Sequence, residues 1–63
     1  MAKNELTKSD WTIALRNVLA MREIAMEMGP TGMFYVFGCN ELLARYDRGE
    51  RTRKLYKEMK ELH

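Results

Sequence analysis

The stretch TGMFYVFGCNELLARYDRG, residues 31–49, sets Met33, Phe34, Tyr35, Val36, Phe37 and Cys39 almost side by side and then turns charged. Read as a strand, MFYVF has the propensity of aromatic and branched side chains, but it alternates poorly and the sequence offers no second strand to pair with it. An edge strand pairing across two copies is the form in which that reading survives. Read as a helix, Tyr35, Cys39, Leu42, Leu43 and Tyr46 recur at intervals of three and four and share one buried face. Met33, Phe34 and Phe37 widen that face, and Thr31 after Pro30 is a usable N-cap. The spacing predicts a helix over residues 32–48. Gly38 in its middle costs about 1 kcal/mol of helix propensity relative to Ala, and its missing side chain offers a crossing point to another helix.

Working back from this stretch, Gly29-Pro30 forms a break, because proline disfavours helix in the residue before it and glycine commonly ends helices. Thr7 with Asp10 three positions on fits a capping box and predicts a helix over about 8–28. At 100° per residue, Thr12, Arg16, Glu23 and Glu27 make a narrow polar stripe. Trp11, Leu15, Val18, Ala25 and Met26 make one apolar sector, with Arg22 intruding. Ile13, Met21, Ile24 and Met28 make a second, with Asn17 inside it. So wide an apolar arc needs more than one neighbour: a tightly wrapped small core is the plainer reading, and a homodimer, with the protomer's own hairpin on one flank and a second copy on the other, the favoured one.

Working forward, ERTRKLYKEMKELH reads as a surface helix over about 50–62, with Lys54–Glu58 and Lys57–Glu61 neighbours along one face and Leu55, Met59 and Leu62 as a thin apolar seam. Gly49 either ends the second helix or is traversed by it. The expected fold is therefore all-α and homodimeric: a helical hairpin with a short third helix, or with one long bent second helix. Residues 1–63 form a single domain, with 1–7 a flexible N-terminus.

A 63-residue chain buries only about 60% of its unfolded surface, and its core supplies roughly 3–5 kcal/mol, so natural proteins of this size add disulfides, a metal or a second copy. Cys39 is the single cysteine and His63 the single histidine, which excludes an internal disulfide and any zinc spacing and leaves oligomerisation. The unpaired thiol, the lack of an apolar leader and the lack of a long apolar run point to a cytoplasmic, soluble chain without a membrane partner. No catalytic, cofactor or metal motif is present, and no small-molecule substrate is implied. Cys39 lies on the apolar face, far in sequence from a base, so it reads as a small hydrophobe and not a nucleophile. Met21, Met26, Met28 and Met33 cluster about the first turn. Gap-filling in the core is their plainer reading, and an adaptable contact surface the sharper one.

Charge is uneven. Lys3, Lys8, Arg16 and Arg22 against Glu5, Asp10, Glu23, Glu27 and Glu41 leave residues 1–44 at −1. Arg45, Arg48, Arg51, Arg53, Lys54, Lys57 and Lys60 against Asp47, Glu50, Glu58 and Glu61 leave residues 45–63 at +3. The set Arg45, Arg48, Arg51, Arg53, Lys54 and Lys57 is thus a candidate surface for an acidic protein or nucleic acid. The interleaved acids favour a solvated face over both, and an acidic protein over phosphate. The candidate dimer or partner interface is Trp11, Met21, Ile24, Met28, Met33, Phe34, Phe37 and Gly38.

In overall style, NELTKSDWTIALRNVLAMREIAMEMG and FYVFGCNELLARYDRGERTRKLYKEMKEL resemble the small helical accessory proteins encoded in the early regions of lambdoid bacteriophages. That resemblance implies a regulatory or host-takeover factor acting by binding a host or phage protein in the bacterial cytoplasm. LTKSDW, Arg16, Phe34-Tyr35 and Lys54-Leu55-Tyr56 also resemble pieces of the Hha family of nucleoid modulators, which implies the alternative of a small DNA-binding or nucleoid-associated regulator. No functional residue is carried over from either.

Overall fold

A computed structural model describes residues 5–62, and among them it is all-helical with no strand. Three α-helices follow in order, α1 (Lys8–Glu27), α2 (Met33–Asp47) and α3 (Arg53–Lys60), with a 3₁₀ turn at Gly29–Gly32 between the first two. The stretch MFYVF is thus the first turns of α2, and the strand reading is excluded.

Local chemistry sets each boundary. The Thr7 hydroxyl accepts from the Asp10 N–H at 3.1 Å and the Thr7 N–H donates to the Asp10 carboxylate at 2.9 Å, closing the predicted capping box. The Thr7 backbone N–H, and after it the Thr7 hydroxyl, hold the Asp10 carboxyl below its ordinary range. Of the N-terminal segment expected to be flexible, residues 1–4 lie outside those described, whereas Thr7 caps α1 and Leu6 packs against the core. Gly29 ends α1 with φ 71°, a left-handed conformation costly to any residue with a Cβ.

Thr31 does not cap α2. It lies inside the 3₁₀ turn, which runs directly into α2 with Gly32 at the cap position and no side-chain cap bond. Gly49, at φ 103°, ends the second helix, so the alternative of one long bent helix is excluded. The third helix starts later than the charge pattern implied, because Thr52 caps it by accepting from the Leu55 N–H at 3.1 Å.

α1 and α2 form an antiparallel hairpin. Trp11 meets Tyr46 with ring centroids 5.5 Å apart, Arg22 donates to the Asn40 side-chain oxygen at 3.0 Å, and Gly32 lies against Ala25 at the turn. α3 lies across the open end, burying Leu55 and Met59 among Trp11, Ala14, Val18, Cys39 and Leu42. Its final turn is held by Asn17, whose side-chain amide donates to the carbonyls of Met59 at 2.8 Å and Leu62 at 2.9 Å.

One ion cluster ties α2 to α3. The Arg45 guanidinium donates twice to the Glu50 carboxylate, at 3.0 and 2.7 Å, and once to Glu58 at 3.0 Å. Arg45 and the Thr52 hydroxyl hold the Glu50 carboxyl down at about 2, from an ordinary 4.5. A carboxyl depressed on folding adds stability that is fully present above its unfolded value and is lost as pH falls through its folded value. The melting temperature should therefore drop on acidification from about 4.5 to about 2, and Glu50→Gln should flatten that drop. Parallel pH curves for the two proteins, followed by circular dichroism, would show that the cluster adds nothing to folding.

Candidate protein-interaction surface

Helix lengths leave part of the hairpin uncovered. α1 has 20 residues and α3 has 8, or about 30 Å against about 12 Å at 1.5 Å per residue. α3 starts beside Trp11, whose ring lies 5.6 Å from Tyr56, and ends at Asn17. Beyond that level the hairpin is a two-helix tip.

The exposed apolar side chains gather there. Leu19, Ile24, Met26, Met28, Met33, Phe34 and Phe37 all face solvent, and among large apolar residues in the described chain only Ile13 is exposed elsewhere. Phe34 is 87% exposed and Phe37 59%. Both rings stand on the side of α2 turned away from Val36, Cys39 and Leu42, which are buried. No charged residue occurs between Glu27 and Glu41. The turn and the first turns of α2, uncharged and bearing Met33, Phe34 and Phe37, have the composition of an interface centre rather than of ordinary surface, whereas Leu19 and Met26 on α1 stand among Arg22, Glu23 and Glu27.

Most of the residues predicted for an interface come together at this tip: Ile24, Met28, Met33, Phe34, Phe37 and Gly38 are exposed on it. Two do not. Trp11 is 5% exposed in the protomer's own core, clamped by Tyr46 and Tyr56, and Met21 is half-buried against that core. The wide apolar arc of α1 is used partly by α2 and α3 and partly left open. Leu19 and Met26 belong to the tip but not to the expected interface set, Met26 being indicated only by the methionine cluster. Met26 shares the angular sector of Leu15 and Val18, but it lies half a turn around α1 from Asn17, which holds α3, and stands beside Leu19, Arg22, Glu23 and Glu27. Of the four clustered methionines, Met26, Met28 and Met33 are exposed, so gap-filling in the core does not account for them.

The basic surface divides. Arg45 is committed to Glu50 and Glu58, and its hydrogen bonding to Glu50, followed by the charges of both carboxylates, pushes its already high pKa higher. The Arg51 guanidinium lies 3.5 Å over the Tyr46 ring and donates to the carbonyls of Tyr46 and Glu50. Arg48, Arg53, Lys54 and Lys57 remain exposed. Cys39 is fully buried, and burial pushes its thiol pKa up against a smaller lowering by Arg22, which keeps it protonated. The described residues hold no cluster of metal-ligating side chains, and none of their helices is long and apolar enough to cross a membrane. No known family model matches the chain, and no curated protein or solved structure matches it either.

Proposed function

We propose that the chain is a non-enzymatic protein-interaction module that works as a homodimer, with the hairpin tip as the face that a second copy covers. The observation that carries this reading is the concentration of seven exposed large apolar side chains on a tip whose turn and first α2 residues are free of charge. A core formed by Trp11, Ala14, Val18, Cys39, Leu42, Leu55 and Met59 is small, and a second copy is the support open to a chain with one cysteine. A role in phage regulation or host takeover, through a host or phage protein bound by the dimer, follows from the early-region resemblance. DNA binding by the C-terminal surface is the weaker reading, because Arg45 and Arg51 are engaged within the fold and the remaining cations alternate with acids.

At micromolar concentration, sedimentation equilibrium should return twice the 7.5 kDa chain mass. A folded monomer would overturn the reading. Mixed-sequence DNA should not shift in a gel at low salt; a shift that weakens steeply as salt rises would favour the nucleoid reading instead.

A further inference from the structure

Three of the four glycines have a use inside the protomer. Gly29 and Gly49 adopt left-handed φ values of 71° and 103°, and Gly32 admits the Ala25 carbonyl where a Cβ would stand. Gly38 has no such use. It sits within α2 without a positive φ, it is exposed, and nothing lies within 4 Å of the place a Cβ would occupy. Glycine is among the poorest helix formers, so the isolated protomer would be better served by almost any other residue. One turn before it stands Phe34, the most exposed of the large apolar side chains, and residues four apart are neighbours on a helix surface.

We infer that two copies pair through their α2 helices about a two-fold axis passing between positions 34 and 38, so that Phe34 of each seats on the bare backbone at Gly38 of the other. This assignment rests on the homodimer reading and adds its geometry. A two-fold contact is self-complementary, residue i meeting j while j meets i, and a projecting ring with a missing side chain one turn away supplies both halves from a single helix. A foreign partner would call for a ring or a hollow on this chain, not for both at that spacing. Along α2 the electrostatics agree, while Glu58 and Glu61 of α3 share the groove beside Gly38 with Arg45. Residues 28–40 carry no charge, and Glu41, the first acid beyond them, lies five residues from the axis. The two Glu41 side chains of a dimer are thus held about 15 Å apart along antiparallel helices, beyond the screening length of about 8 Å at physiological salt.

The test sets helix propensity against association. Gly38→Leu should raise the helicity of the dilute protomer while weakening the dimer about hundredfold to ten-thousandfold, the loss expected when one large apolar side chain on each copy is unseated. Phe34→Ala should weaken it over the same range. In a Cys39→Ala background, copies carrying Phe34→Cys mixed with copies carrying Gly38→Cys should form a cross-linked heterodimer faster than either variant links to itself. A dimer of unchanged affinity in Gly38→Leu and Phe34→Ala, with no preference for the mixed disulfide, would overturn this geometry and leave the homodimer standing. A monomeric wild-type chain would overturn both.

Discussion

Leu55→Ala is expected to detach α3 and abolish most of the cooperative thermal transition. Leu55 is completely buried, and with Met59 it is the fully buried part of what α3 brings to the core, Tyr56 packing beside them against Trp11. Removing a buried leucine side chain costs about 2–5 kcal/mol, depending on how far the cavity collapses. The whole core of so small a domain supplies roughly 3–5 kcal/mol, so the loss is comparable to the total. The helix cannot persist undocked, because isolated helices shorter than about 12–15 residues are marginal in water and α3 has 8. Its departure also uncovers Trp11, Val18 and Leu42, so the damage spreads into the hairpin. The neighbouring Lys54→Ala, on the exposed side, should leave the melt nearly unchanged. Circular dichroism melts at one protein concentration decide the matter. If Leu55→Ala melts within a few degrees of the wild type, α3 is an accessory to a self-sufficient hairpin and the division of the core described above is wrong.

The hairpin was legible because its signals are local. Thr7 with Asp10, Gly29 before Pro30, and the three-and-four spacing from Tyr35 to Tyr46 each act within one or two turns, so the bounds of α1 and α2 fall within about two residues of expectation. What stayed hidden depends on residues distant in sequence. Thr31 has the chemistry of a cap, but the path of the turn places Gly32 there, and that path is set by contact with Ala25. Asn17 looked like a polar intruder in an apolar sector, and it is the clasp for a helix end more than 40 positions away. The exposure of Ile24 and Met28 follows from where α3 stops, since they lie two and three turns beyond Asn17 on the same side of α1. Periodicity can say that a face is apolar. It does not say how much of that face a third element is long enough to cover.

Gly32→Ala should destabilise the protomer sharply, although every local consideration favours alanine. At φ −91° and ψ 0°, Gly32 holds the bridge conformation that most residues occupy at the third position of a type I turn, so its backbone angles do not bar alanine. Reduced freedom of the unfolded chain would by itself stabilise the variant by about 0.4–1 kcal/mol. Against this stands a steric fact. Gly32 is buried, and a Cβ built there runs into the backbone carbonyl of Ala25, which is held in α1 and cannot swing aside as a flexible side chain would. The clash is relieved only if the two helices part at the turn, which loosens Ala25 and Val36 beside it. Forced overpacking of this kind costs roughly 1–3 kcal/mol, and for a domain of this size each kcal/mol moves the melting temperature by about 4–8 °C. A fall of about 10 °C is therefore expected, against no fall for Thr31→Ala, whose side chain is exposed in the same turn. The sign is what separates steric from local control: a Gly32→Ala protein melting at or above the wild-type temperature would mean that α1 and α2 do not meet backbone to backbone at the turn, and the tip that Phe34 and Phe37 crown would have a different shape.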